Sequence, residues 1–117
     1  NLELSRSAEL RLRLRWVAIL YQKINADLAI TGGIHTVEDI IKSMLVGANV
    51  SMMASVLLEN GIPYIDKLIR GVEEWMRRNG YHTIDEMRGI LSQQNITETD
   101  AFERANYMKV LQSYRFE

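Results

Sequence analysis

Residues 28–39 read Leu-Ala-Ile-Thr-Gly-Gly-Ile-His-Thr-Val-Glu-Asp, an apolar run that meets two glycines and then a helix start. Gly32 and Gly33 lack a Cβ, so the chain there can turn sharply and lie close to a ligand. A helix starting at Thr36 aims main-chain N–H groups and the positive end of its dipole at the same spot. That arrangement binds anions, phosphate above all. The pattern recurs one unit later, in Asn49, Val50, Ser51, Met52, Met53, Ala54 and Ser55. If the two apolar runs are neighbouring strands, the N–H groups of Gly33, Ala54 and Ser55 and the Ser55 hydroxyl converge on one anion, with no lysine or arginine required. The plainer alternative is that the glycines only permit tight turns.

Other polar residues carry weaker signals. His35 follows the glycine turn and can donate to an anion, but a lone loop histidine is ordinarily a solvent-facing one. His82 precedes a helix cap and reads as a surface residue. The two histidines share no metal-ligand spacing. Glu73 with Glu74, and Asp85 with Glu86, are adjacent on helices and diverge by about 100° per residue, so neither pair is an acid/base dyad. The six methionines are scattered and read as core filler. Arg11, Arg13, Arg15, Arg77 and Arg78 are matched by acids elsewhere.

The elements that must position these residues follow from pattern. Residues 7–23 are rich in helix formers, with Leu10, Leu14, Val17 and Tyr21 on one stripe widened by Leu12, Trp16, Ile19 and Leu20. Residues 10–15 also alternate with period two, a strand signal, but propensity and length favour helix. A buried strand is expected over 26–30, then a helix opened by a Thr36/Asp39 capping box and closed at Gly47. A second strand is expected over 50–54. A helix after Pro63 carries Ile65, Leu68, Ile69, Val72, Trp75 and Met76 on one stripe and ends at Gly80. Thr83 and Glu86 cap a short helix reaching Ser92, and a last helix is expected over 100–113, with Phe102, Ala105 and Val110 along one side. Trp16 and Trp75 sit on apolar stripes, as core or subunit contacts.

Strand–helix–strand at this spacing means parallel strands with a right-handed crossover. Two parallel strands are a poor sheet alone, because such strands are buried on both faces and need neighbours. The expected class is therefore α/β, mostly helical with two short parallel strands, and incomplete by itself. The 117 residues, 47% hydrophobic and 25% charged, suffice for one small domain. A net charge of −1 gives no support to nucleic acid or an anionic membrane as partner. With no cysteine, disulfides and thiolate chemistry are excluded, and a reducing, cytoplasmic setting fits. No run approaches the roughly 20 apolar residues of a membrane span. The start at Asn1, without a signal-peptide pattern or initiator methionine, reads as a processed or shortened chain. The two Asn-X-Ser/Thr tripeptides, at Asn49 and Asn95, read as chance.

The run Gly32, Gly33, Ile34, then Thr36, Asp39, Gly47, Ala48 and the strand end at Ala54 and Ser55 resembles the C-terminal part of dihydroorotate dehydrogenase-like flavoproteins. Residues 83–89 resemble the short tail helix of that family and of its dihydropyrimidine dehydrogenase relatives. The resemblance implies a C-terminal fragment of a (β/α)8 TIM barrel: one partial domain over 1–117, with the last two β/α units in 1–80 and a helical tail in 81–117. It implies FMN as cofactor in the intact protein, its phosphate held by Gly32, Gly33, Ala54 and Ser55. This sequence has Ala29 and Ile30 where the family more often has an aliphatic residue and a glycine, and Ala54-Ser55 where it often has Gly-Thr. The family's catalytic base, flavin-side lysine and pyrimidine-binding asparagines have no counterpart here, so the chain alone is expected neither to carry the oxidoreductase chemistry nor to hold FMN tightly. The implied partners are the rest of the barrel or copies of itself, as a homo-oligomer. The alternative is a mostly helical, self-associating piece without catalysis or cofactor, pairing through open strand edges and the Trp16 and Trp75 faces.

Overall fold

The computed structural model describes residues 4–96. The helix expected over 100–113 lies outside them. A short 3-10 turn, Ser7–Glu9, leads into α1 (Leu10–Leu20), β1 (Ala29–Thr31), α2 (Val37–Val46), β2 (Val50–Met52), α3 (Ser55–Asn60), α4 (Tyr64–Arg78) and α5 (Ile84–Met87). The two strands form a parallel pair with Ala29 opposite Val50, Ile30 opposite Ser51 and Thr31 opposite Met52. The architecture is mostly helical α/β, as the sequence pattern implies.

The period-two ambiguity in α1 resolves as helix. Leu10, Leu14, Val17 and Ala18 point inward, while Leu12 stays 61% exposed. The helix is shorter than 7–23 because Gln22 takes a left-handed φ of 62° just after the Tyr21 cap. Both strands are also shorter than expected. Ahead of β1, Leu28 is held by Asn49: its N–H donates to Asn49 Oδ1 at 2.9 Å and its carbonyl accepts the Asn49 N–H at 2.7 Å. The Asn49 side chain thus takes the Leu28 N–H, while the Leu28 carbonyl is shared by the main-chain N–H groups of Asn49 and Val50.

The capping box of α2 is formed. Thr36 Oγ1 accepts the Asp39 N–H and Asp39 Oδ2 accepts the Thr36 N–H, each at 3.1 Å. Gly47 closes this helix with φ +125°. Inside, Ser43 Oγ donates to the Ile40 carbonyl at 2.6 Å and meets the Ser51 hydroxyl, which fastens α2 to the inner face of β2. The stripe on α4 buries Leu68, Val72, Trp75 and Met76, but Ile69 is left 51% exposed. Gly71 lets α4 lie against α2, since a Cβ there would overlap the Val37 side chain. Trp75 is fully covered and stacks on Tyr81 at a 5.8 Å centroid separation. Trp16 does not share that environment: it is 55% exposed.

The helix opened by Thr83 stops at Met87 rather than reaching Ser92. The chain is drawn away because the Gly89 and Leu91 N–H groups donate to the Met44 and Leu45 carbonyls at 3.0 and 2.8 Å, satisfying the last turn of α2. Tyr21 is wedged between Gly47 and Gly89, where a Cβ on either glycine would overlap its ring.

The sheet is covered on one face only. Ile30 is buried and Ser51 half-buried against the helices, whereas Ala29, Thr31, Val50 and Met52 face outward. Val50 and Met52 are 49% and 50% exposed. Within the described residues the strands are therefore covered on one face alone, and each keeps one edge without a strand neighbour.

Candidate anion site at the strand tips

The parallel register places the ends of β1 and β2 side by side, because Thr31 pairs with Met52 and each strand stops there. Gly32 and Gly33 follow β1 with φ +86° and +92°, values that L side chains rarely adopt. Ala54 and Ser55 follow β2, with Ser55 opening α3.

One atom joins the two tips. The Gly33 N–H donates to Ser5 Oγ at 3.2 Å, and Ser5 Oγ lies 2.9 Å from Ser55 Oγ. The Ser5 N–H also donates to Ser55 Oγ at 3.2 Å. Gly33 and Ser55 are therefore two hydrogen bonds apart, around a single hydroxyl oxygen. Gly32 is not part of that cluster; its Cβ position is 3.1 Å from the guanidinium of Arg13, a cation standing at the tip of β1. Ala54 acts through its carbonyl, which accepts the Leu57 and Leu58 N–H groups, both at 3.0 Å.

The start of α2 contributes less than its dipole alone implies. The His35 and Thr36 N–H groups both donate to Asp39 Oδ2, at 2.9 and 3.1 Å, and Ser7 Oγ donates to the same oxygen at 2.5 Å. These donors are held by the helix's own carboxylate and do not point free toward an anion. The close approach that Gly33 permits is also to protein: a Cβ there would come 2.9 Å from the Leu10 nitrogen and 3.0 Å from the Arg6 carbonyl. His35 is not solvent-facing. Its Nε2 donates to the Ser5 carbonyl, and Nδ1 lies 3.8 Å from Glu59 Oε2. Arg6 reaches the other oxygen of Glu59 at 3.2 Å.

Beside this cluster, the open edge of β1 and the outer face of α1 form a groove of about 530 Å³ lined by Leu12, Trp16, Leu20, Leu28 and Ile30, with Arg13 at its rim. Among the described residues no group of His, Asp and Glu is placed to hold a metal. Also among them, no helix is long and apolar enough to cross a membrane.

No family model matches the chain. Individual proteins do. A dihydroorotate dehydrogenase (fumarate) of Lachancea kluyveri is 33% identical over 78 residues, which cover 65% of this chain and 25% of that protein. The similarity is to dihydroorotate dehydrogenases. Dihydroorotate dehydrogenase A (fumarate) of Lactococcus lactis subsp. cremoris is 31% identical over 77 residues, 64% of this chain and 25% of its own length. The catalytic subunit of dihydroorotate dehydrogenase B (NAD(+)) of Methanothermobacter thermautotrophicus is 25% identical over 76 residues, with 65% and 25% covered. The chain thus spans about a quarter of the length of the dihydroorotate dehydrogenases it matches, in agreement with the resemblance carried by residues 32–55 and 83–89.

Sequence reasoning missed three residues around the strand tips. Ser5 carried no signal, since a serine ahead of a helix reads as an ordinary cap. Arg13 was submerged in an alternating Leu-Arg run. Glu59 lies on α3, a six-residue helix too short to show a period.

Proposed function

We propose that this chain is the FMN-phosphate-binding, C-terminal part of a dihydroorotate dehydrogenase-like oxidoreductase, without the catalytic base and most substrate contacts. The observation that carries the reading is the parallel pair of strand tips, with the Gly33 amide and the Ser55 hydroxyl facing one oxygen atom. A backbone amide and a hydroxyl around one oxygen are the donors a phosphate oxygen takes. The similarity to dihydroorotate dehydrogenases supports the same reading. In the intact protein FMN would supply the redox chemistry, and the tips Gly32–Gly33 and Ala54–Ser55 would hold its phosphate, with the Gly33 N–H and the Ser55 hydroxyl as the donors.

The bare sheet face and open strand edges support a barrel context. Parallel strands ordinarily have both faces covered and a neighbour on each edge. Six further strand–helix units would supply both in a (β/α)8 barrel, and phosphate sites at its carboxyl edge recur after the last two strands. A cysteine-free chain fits a cytoplasmic location.

The test is a paired titration of the 117-residue chain with FMN and with riboflavin, followed by flavin fluorescence. A phosphate anchor predicts that FMN binds and riboflavin, which lacks the phosphate, does not. Equal binding of both, or of neither, contradicts it. The second reading, a self-associating piece without cofactor, is favoured by exposed Leu12 and Trp16 beside the open β1 edge. It predicts a colourless oligomer by light scattering that Trp16→Glu dissociates.

A further inference from the structure

The phosphate reading leaves one feature unexplained: the oxygen between Gly33 and Ser55 belongs to the protein itself. We propose that residues 5–7 form a strap that occupies the anion cradle and must be displaced when an anion binds; this rests on the phosphate reading. Ser5 Oγ accepts the Gly33 N–H and meets the Ser55 hydroxyl, so it stands where a phosphate oxygen would stand. The strap is latched by groups that are not cradle donors. Its Ser5 carbonyl accepts the His35 ring N–H, and Ser7 Oγ donates to the buried Asp39 carboxylate at 2.5 Å. Arg6 pairs with Glu59 at 3.2 Å, so the strap also brings the cation that balances this carboxylate.

The physical consequence is competition. The Gly33 N–H and the Ser55 hydroxyl are already partnered by Ser5, so an anion gains only what it adds over the Ser5 hydroxyl. Apparent affinity is reduced by the fraction of molecules in which the strap is open. Loosening a latch raises that fraction and tightens binding. Ser7 is the informative latch, because it touches Asp39 and none of the cradle donors.

The experiment titrates inorganic phosphate into wild type, Ser7→Ala and Ser5→Ala, reading the Gly33 amide shift by NMR, with trypsin cleavage after Arg6 as a second readout. Loss of one hydrogen bond of ordinary strength predicts about 5-fold tighter phosphate binding in Ser7→Ala. Ser5→Ala changes affinity in the same direction, and phosphate speeds cleavage after Arg6 in wild type. Equal phosphate affinity in wild type and Ser7→Ala overturns the strap while leaving the phosphate site standing. Weaker binding in Ser5→Ala shows Ser5 to be a ligand, which also overturns it. Absence of phosphate binding in all three proteins overturns the site and the strap together.

Discussion

Gly33→Ala and Gly80→Ala form a matched pair that measures how firmly residues 6–10 are packed on the strand tip. Both glycines have similar left-handed backbones, with φ +92° and +79°. An alanine at either position meets the same conformational strain, about 1–2 kcal/mol, and the same small gain from restricting the unfolded chain. Their surroundings differ. A Cβ on Gly80 meets nothing within 4 Å, whereas one on Gly33 comes 2.9–3.1 Å from the Arg6 carbonyl and the Leu10 backbone. These neighbours are main-chain atoms, which cannot rotate aside, and forced contacts of this kind cost about 1–3 kcal/mol. Gly33→Ala should therefore destabilise by about 2–5 kcal/mol and Gly80→Ala by about 1–2 kcal/mol. The assay is urea unfolding followed by far-ultraviolet circular dichroism, with the two slopes compared to confirm one cooperative unit. Equal midpoints for the two variants would refute the packing of residues 6–10 against Gly33, and with it the explanation of why that position holds glycine.

Thr36→Ala removes the acceptor of the Asp39 N–H and should cost about 1 kcal/mol in the same assay. Asp39→Ala should cost more than Thr36→Ala, because it strands the His35 and Thr36 N–H groups and the Ser7 hydroxyl at once. Gly71→Ala forces α4 off Val37 and should lower the thermal midpoint by several degrees, with Gly71→Ala/Val37→Ala recovering part of the loss.

What the sequence disclosed was the part governed by local chemistry. The Thr36/Asp39 box, the Gly47 stop and the strand–helix–strand order all depend on neighbours within a few residues, and they stand as read. The Gly32–Gly33 turn was legible for the same reason. The partners of that turn were not, because Ser5 is 28 residues from Gly33 and 50 from Ser55, and nothing in its immediate neighbours marks it. Strand and helix ends were misjudged where long-range bonds decide them: Asn49 takes over Leu28 ahead of β1, and α2 draws Gly89 and Leu91 away from α5. The burial of Trp75 and the exposure of Trp16 show the limit of a stripe, which names an apolar face but not what covers it.

The central claim is that the Gly33 and Ser55 tips hold the phosphate of FMN. Its most direct test is an amide NMR titration of this chain with FMN and, separately, riboflavin. The account predicts that FMN moves the Gly33 and Ser55 amide signals and that riboflavin leaves them in place. Signals at these tips that stay still with FMN, or that move alike with both ligands, would contradict it.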